Sequence, residues 1–173
     1  MTGEAPRVVL DTNVLLSLFV FADSRFAPIR RTIEDGRWQA LADERCLAEF
    51  RRVLGYPMFS LDEAARAAAF DAYAALVLPV EPVPGNPVPL PLCEDKDDQK
   101  FLELARDGGA ALLVTSDKAL LRLARRLRTS GQFRLLTPHD ALALIPADES
   151  AIVGPREAME PMEPTGHGHG GFC

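Results

Sequence analysis

Short apolar segments alternate with helical segments along most of this chain, and this alternation constrains its fold more than any other feature. The segments with strand or extended character are residues 7–10, 38–42, 77–82, 112–115 and 133–136. Parallel neighbouring strands need helical crossovers, and those crossovers cover both faces of the sheet. The order of the elements therefore predicts a three-layer α/β fold with a mainly parallel sheet.

Capping and stop signals bound the segments between the strands. They predict helices over residues 13–21, 25–35, 43–55, 61–75, 97–107 and 118–128, and a last helix after Thr137. Ser60 and Glu63 form a candidate capping box for the fourth of these helices. Pro138 suits the first position of the last helix. Six prolines between residues 79 and 91 predict a stiff surface connection.

A change of composition after Ile145 divides the chain. Its 173 residues and 47% hydrophobic content suit one domain with its own core, over residues 1–145. Residues 146–173 are rich in Pro, Glu, Gly and His without periodicity, which predicts a disordered tail. The tail holds five acids and one base, so it carries −4 of the net charge of −6. His167 and His169 could bind a transition metal weakly, but composition favours incidental histidines in a flexible tail.

Cysteine usage and hydropathy indicate where the protein works. Cys46, Cys93 and Cys173 are odd in number and lack the close spacing of a zinc site or a disulfide framework. We expect free thiols in a reducing compartment. No apolar run reaches the roughly 18 residues of a membrane span, and the N-terminus has no apolar signal segment. These features predict a cytoplasmic protein without a membrane partner.

Four carboxylates stand at the ends of separate predicted elements, and they are Asp11, Glu49, Asp98 and Asp117. Asp11 and Asp117 directly follow apolar strands, and ligands of open parallel sheets gather beyond the carboxyl ends of the strands. No His or Cys lies beside these acids, and oxygen donors suit hard cations such as Mg²⁺ or Mn²⁺. The pattern predicts a shared metal site at the carboxyl end of the sheet.

Each of these acids also has an ordinary structural explanation. An Asp after a strand commonly caps the next helix, so Asp11 and Asp117 need not bind anything. A lone Glu on a helix, such as Glu49, is usually solvated. The helix dipole favours an acidic run at a helix start, as around Asp98. Two strand-end acids with an acidic helix start between them nevertheless favour the shared site.

The other motifs exclude some chemistries and leave candidates for phosphate binding. Residues 1–145 contain one histidine, His139, which argues against a Ser-His-Asp or Cys-His hydrolase. The sequence lacks the Gly-rich loops of nucleotide-binding proteins. The basic candidates for RNA contact, each also explicable as a solvated surface residue, are Arg30, Arg31, Arg51, Arg52, Lys118, Arg122, Arg125, Arg126 and Arg128.

Four segments of the chain resemble the PIN-domain family of metal-dependent ribonucleases, and they are VVLDTNVLLS, LAEFRRVL, DKDDQKFLELA and LLVTSDKALL. More narrowly, they resemble its bacterial branch of toxins from toxin-antitoxin pairs. The resemblance covers about residues 7–145. It implies a parallel sheet of about five strands with helices on both faces, and an acidic pocket that binds Mg²⁺ or Mn²⁺.

The resemblance also implies roles for individual residues. The family's four acids, which bind the metal and carry the catalysis, match Asp11, Glu49, Asp98 and Asp117. The polar residues that flank the site match Thr12, Asn13 and Ser116, and a further acid of this branch matches Asp95. Two departures, Lys96 in place of a proline and Gln99 in place of an acid, affect the rim of the pocket.

The function predicted from these residues and this resemblance is hydrolysis of single-stranded RNA by an endoribonuclease with one or two Mg²⁺ or Mn²⁺ ions. It implies an RNA substrate, and it admits a cognate antitoxin protein and a homodimer as partners. The main alternative is a PIN-like module that binds RNA or protein without cutting. A receiver domain is disfavoured because FRLLTPHD offers no lysine, and an aspartyl-phosphatase because no second Asp follows Asp11 by two residues.

Overall fold

The computed structural model describes residues 3–147 of the chain, and these contain a five-stranded parallel sheet. Its strands are β1 (Arg7–Leu10), β2 (Gln39–Ala42), β3 (Leu78–Pro79), β4 (Leu112–Val114) and β5 (Arg134–Leu136). They lie in the order β3-β2-β1-β4-β5, and every neighbouring pair is parallel. The predicted α/β fold with a parallel sheet is confirmed.

Eight α-helices within residues 3–147 connect and flank these strands. They are α1 (Thr12–Phe19), α2 (Ala27–Glu34), α3 (Glu44–Leu54), α4 (Glu63–Ala74), α5 (Gln99–Asp107), α6 (Lys118–Leu121), α7 (Ala124–Thr129) and α8 (Pro138–Leu142). Two short 3₁₀ helices, Pro57–Phe59 and Lys96–Asp98, precede α4 and α5. Each crossover between parallel strands thus contains helix, as the sequence pattern predicts.

The sheet has a hydrophobic core on each face, because successive side chains of a strand point to opposite sides. In β1, Val8 and Leu10 belong to one buried cluster and Val9 belongs to the other. Helices α1 to α4 and α8 contribute to the first cluster, which includes Phe50. Helices α5 to α7 contribute to the second, which includes Phe101. Helices on both faces of the sheet give the predicted three layers.

The start of α4 differs from the prediction. Asp62 caps this helix, because its side chain accepts a hydrogen bond from the backbone N–H of Ala65 at 2.7 Å. Ser60 has a left-handed backbone with φ of 49°, and its N–H closes the preceding 3₁₀ turn on the carbonyl of Pro57 at 3.0 Å. Ser60 therefore ends that turn, and the predicted capping box between Ser60 and Glu63 is wrong.

Residues 118–128 form two short helices where the sequence predicted one. At the junction, the N–H of Leu123 donates to the carbonyl of Leu120 at 2.9 Å, which is a tighter turn than an α-helix makes. The buried side chains of Leu120, Leu123 and Leu127 all remain in the core. The arginines of this segment are therefore divided between α6 and α7, and the predicted single basic helix is wrong.

The two edge strands of the sheet are shorter than predicted, whereas the last helix begins where the sequence predicted. The segment 77–82 pairs with β2 only through Leu78 and Pro79. Thr137 caps α8 as predicted, because its hydroxyl accepts a hydrogen bond from the N–H of Asp140 at 3.1 Å. Apart from its first two residues, the predicted tail over 146–173 lies outside the described residues, together with its histidines and Cys173.

Two observations bear on the predicted environment of the protein. Cys46 and Cys93 are buried and free. Burial raises the pKa of both thiols, and the neighbouring charge of Asp43 adds to this effect at Cys46. Both thiols therefore stay protonated at neutral pH. Within residues 3–147, no helix combines the length and the apolar character that a membrane span requires.

Candidate metal centre

A cavity of about 280 Å³, here called the acidic cavity, lies at the carboxyl ends of β1 and β4. Its lining includes the four acids predicted to form a site, Asp11, Glu49, Asp98 and Asp117. Thr12 and Asn13 also line it, as expected for polar residues flanking the site. The described chain thus brings four side chains together that are up to 106 positions apart in the sequence.

Asp11 is the most deeply buried of these acids, with 3% of its surface exposed. One carboxylate oxygen caps α1 by accepting a hydrogen bond from the N–H of Val14 at 3.0 Å, and the other accepts one from the hydroxyl of Thr115. Burial raises the pKa of Asp11 against these hydrogen bonds, and the charge of Asp117 raises it further. No ion pair with Asp11 occurs within residues 3–147. Its charge is therefore held by neutral donors.

Thr115 links the two strand-end aspartates, and the sequence analysis did not identify it. Its side chain is fully buried, its hydroxyl donates to Asp11, and the same oxygen accepts a hydrogen bond from the N–H of Asp117 at 2.9 Å. Asp117 in turn caps α6 by accepting from the N–H of Leu120 at 3.0 Å. A hydroxyl at the end of the otherwise apolar run LLVT was the available signal. Both aspartates combine helix capping with a place in the acidic cavity.

Asp98 ends the 3₁₀ helix before α5 and is partly buried. Its pKa is raised to about 6, chiefly by burial and then by the negative charges of Asp117, Asp95 and Asp11. The charge of Lys100 acts in the opposite direction. Asp98 therefore lies in a field of like charges that one nearby ammonium only partly offsets.

Glu49 is not the solvated helical side chain that burial statistics favour. Its side chain is 15% exposed, and one of its oxygens accepts a hydrogen bond from the hydroxyl of Thr12 at 2.5 Å. The other lies 3.0 Å from the ammonium of Lys100, which is also 15% exposed. The guanidinium of Arg52 is 3.9 Å away at the rim of the acidic cavity. Sequence analysis missed Lys100, because the pair joins α3 to α5 across 51 positions.

Two predicted supporting residues lie outside the lining of the acidic cavity. Ser116 is exposed between Thr115 and Asp117. Asp95 is also exposed, and its carboxylate accepts a hydrogen bond from the N–H of Asp97 at 2.9 Å, which caps the 3₁₀ helix. Asp95 acts on the site through its charge, because that charge raises the pKa of Asp98.

A second cavity of about 380 Å³, here called the arginine groove, lies between α6, α7 and the edge strand β5. Its basic lining consists of Arg122, Arg125, Arg128 and Arg134. Among the described residues, Arg122 alone of these four has a carboxylate partner, Glu94, at 2.5 Å. Arg134 was not among the predicted basic residues, because it lies on a strand and not in a run of basic residues.

The other basic candidates do not share one surface. Lys118 and Arg126 are exposed but do not line the arginine groove. Arg51 lies 4.2 Å from the ring centre of Phe70, and Arg30 pairs with Glu34 at 2.7 Å. Arg31 lines a cavity beside α8, and Arg52 lines the acidic cavity. Only Arg122, Arg125 and Arg128 of the predicted set converge on one groove.

The donor chemistry and the charge of the acidic cavity fit a divalent cation. All four acids offer carboxylate oxygens, the ligands that Mg²⁺ and Mn²⁺ prefer. The charges of Asp11 and Asp117 act on Asp98, so a cation among the three would relieve their repulsion. As placed, no three Asp, Glu, His or Cys side chains within residues 3–147 form a group that could hold an ion. A bound ion would therefore require these side chains to rotate towards one another.

The acidic cavity at the carboxyl end of the five-stranded parallel sheet is a candidate site for a divalent cation. A comparison with family models shows the family to which the chain belongs. A family model described as PIN domain matches residues 7–119, which is more than half of the chain and includes all four acids. The chain belongs to the PIN-domain family. PIN domains are generally metal-dependent nucleases that act on RNA or other nucleic acids. No curated protein matches the sequence.

Proposed function

We propose that this protein is an endoribonuclease that hydrolyses single-stranded RNA with Mg²⁺ or Mn²⁺. The observation that carries the proposal is the environment of Asp11. Its carboxylate is almost wholly buried, has no cationic partner among the described residues, and lies in the same cavity as Asp98 and Asp117. Burying such a charge is costly, and a bound divalent ion would offset that cost.

In this proposal, Asp11, Asp98 and Asp117 hold the metal ion. When bound, a divalent ion lowers the pKa of a bound water and stabilises charge on the phosphate. Thr115 fixes the two strand-end aspartates relative to each other through its hydroxyl. Thr12 fixes Glu49 from α1, so that Glu49 can assist from its place in the lining of the acidic cavity. Asn13 is exposed beside the cavity and can donate to a phosphate oxygen.

The arginine groove offers a path for the RNA backbone. The α6–α7 crossover runs from the carboxyl end of β4, beside Asp117, to the amino end of β5. Arg122 therefore lies nearer the acidic cavity, and Arg128 lies nearer Arg134 at the start of β5. Three of these arginines have no carboxylate partner within residues 3–147, so they are free to bind phosphates.

The decisive experiment measures cleavage of a labelled single-stranded RNA by the full-length protein with Mg²⁺, Mn²⁺ or EDTA. We expect cutting that requires the metal and disappears in the Asp11→Asn, Asp98→Asn double variant. Asp62→Asn is the matched control, because Asp62 caps α4 outside the acidic cavity. Asn can keep such a cap, so the control should cut at the wild-type rate.

The alternative is a PIN-like module that binds RNA or protein without cutting. The pairing of Glu49 with Lys100 favours this alternative, because one of the four acids already has a cationic partner. Absence of cutting across varied RNAs, together with absence of metal binding by calorimetry, would point to the binding module. It would also remove the roles assigned to the four acids.

We propose further that the protein acts in the cytoplasm as the toxin of a toxin-antitoxin pair. This narrower role is supported by the sequence resemblance of the four motif segments alone. Induced expression should then arrest growth, and coexpression of a small DNA-binding protein from the adjacent reading frame should restore it. Size-exclusion chromatography with light scattering would test the homodimer expected from the same resemblance.

A further inference from the structure

Lys100 is the one ammonium in contact with a predicted catalytic acid among residues 3–147, and nothing in the sequence pattern identified it. It projects from α5 towards α3, where its nitrogen lies 3.0 Å from a carboxylate oxygen of Glu49. Each of these two side chains is 15% exposed, so most of each lies away from water. The pair is therefore much less screened by solvent than a surface salt bridge.

Each carboxylate oxygen of Glu49 accepts one hydrogen bond. One oxygen accepts from the hydroxyl of Thr12 at 2.5 Å, and the other accepts from Lys100. The ammonium is itself held in place, because it also donates to the backbone carbonyl of Asp97. By contrast, the guanidinium of Arg52 is 65% exposed and 3.9 Å from Glu49. The fixed cation at this carboxylate is Lys100.

The charges of the acidic cavity thus divide into two groups. Asp11, Asp98 and Asp117 have no ion pair with any described residue, whereas Glu49 has a lysine. A second divalent ion in the cavity would need carboxylate ligands of its own, and Glu49 is the fourth acid available. To bind there, that ion would have to displace the ammonium of Lys100 or approach a like charge.

We propose that the ammonium of Lys100 occupies the place of a second metal ion beside Glu49, so that the centre binds one divalent ion. This inference rests on the proposed metal-dependent function and specifies its cation count. Lys100 is a positioning residue in this arrangement. It holds the carboxylate of Glu49 in place in the lining of the acidic cavity, while the three aspartates bind the single ion.

The test is the number of Mn²⁺ ions bound per full-length chain, measured by calorimetry and by electron paramagnetic resonance of free Mn²⁺. We expect one ion for the wild type and two for Lys100→Met, which frees Glu49 for a second ion. The double variant Glu49→Gln, Lys100→Met removes both partners and should return to one ion. Lys96→Met, which removes an exposed lysine three residues before the start of α5, should also bind one.

Each other result would overturn the inference in a distinguishable way. Two ions in the wild type would show that Lys100 does not occupy a cation position. One ion in Lys100→Met would show that Glu49 is not a latent ligand. No ion in the wild type would overturn the proposed metal centre itself, and the inference with it. If Lys100→Met does not fold, Lys100→Gln repeats the test, because Gln keeps a donor near Glu49 without the charge.

Discussion

The ends of the two neighbouring strands β1 and β2 carry the same local structure with opposite electrostatics. Asp11 and Asp43 each follow a central parallel strand, and each caps the next helix through a hydrogen bond from the N–H three residues on, at 3.0 and 2.8 Å. Their exposed fractions are 3% and 8%. By sequence, by capping and by burial, the two aspartates are equivalent.

The second carboxylate oxygen distinguishes them. In Asp43 it accepts from two nitrogens of Arg45, at 2.9 and 3.1 Å. Burial raises the pKa of Asp43, but hydrogen bonds from Cys46 and Arg45 outweigh burial and lower it. In Asp11 the corresponding oxygen meets the neutral hydroxyl of Thr115, and burial leaves the pKa raised. Among the described residues, Asp43 therefore carries its own counterion and Asp11 does not.

The largest predicted effect separates the two aspartates by activity. Asp11→Asn keeps an oxygen for the cap but removes the charge that we assign to the metal, so RNA cleavage should fall by about a hundredfold or more. Asp43→Asn should retain cleavage within about a factor of two, since its charge serves only Arg45. Initial rates on one RNA at fixed Mg²⁺ test this. Equal losses in both variants would break the distinction.

Metal binding should stabilise the folded protein against unfolding. This stabilisation should depend on Asp11 and not on Asp43. A ligand that binds only the folded state at about a hundredfold excess over its Kd adds about 2.7 kcal/mol of stability. Thermal unfolding with and without Mn²⁺ should therefore show an upward shift in Tm for the wild type and Asp43→Asn. Asp11→Asn should lose most of that shift. An identical shift in all three proteins would place the ion elsewhere.

Asp11→Asn should also be more stable than the wild type when EDTA is present. The folded protein holds a carboxylate whose pKa burial has raised, so its ionised form opposes folding at pH 7. Removing that charge should raise the free energy of unfolding by about 1 kcal/mol, a gain at the expense of activity. Urea unfolding in EDTA measures it. A loss of stability would mean that the hydrogen bonds of Asp11 outweigh its burial.

Local sequence patterns predict one part of the site. The pattern of an apolar strand followed by Asp is local, so VVLD and LLVTSD sufficed to predict both β1 and β4 and the convergence of Asp11 and Asp117. Asp43 was predicted only as the first residue of the helix over 43–55. Arg45, two residues on, was a visible signal that this Asp has a partner of its own.

Other parts of the site depend on contacts that no local pattern encodes. The hydroxyl of Thr115 reaches Asp11 across 104 positions, and Lys100 reaches Glu49 across 51. Both contacts are set by the packing of separate elements, β4 beside β1 and α5 beside α3, and not by the spacing of residues in the chain. The break between α6 and α7 was missed for a related reason. Helical periodicity continues through Leu120, Leu123 and Leu127, while tertiary packing tightens the turn at the first two.

The pH dependence of stability should reveal the ion pair of Asp43, the cap of α3. The folded pKa of Asp43 lies below its unfolded value of about 3.9, so its ion pair stabilises the protein above that pH. This contribution is lost as the pH falls through the folded pKa. Asp43→Asn should therefore cost about 1 kcal/mol at pH 7 and progressively less below pH 4. A difference that stays constant from pH 7 to pH 3 would remove the role of Arg45.

The smallest predicted effect extends the contrast between paired and unpaired charges to the arginines. Arg125, Arg128 and Arg134 line the arginine groove without carboxylate partners in the described chain, whereas Arg37 pairs with Asp35 at 3.3 Å. If the groove binds RNA phosphates, Arg128→Ala should weaken binding of single-stranded RNA several-fold. It should also lower the slope of log affinity against log salt by about 0.7 for each lost phosphate contact.

Arg37→Ala is the matched control for this measurement, because it removes an arginine whose charge is already balanced. Fluorescence anisotropy in EDTA at several salt concentrations measures binding without cleavage. An unchanged slope in Arg128→Ala, alone and combined with Arg125→Ala, would exclude the groove as the RNA path. The metal centre would stand, because the acidic cavity and the groove share no lining residue. Substrate binding would then fall to Arg52, the arginine that lines the acidic cavity itself.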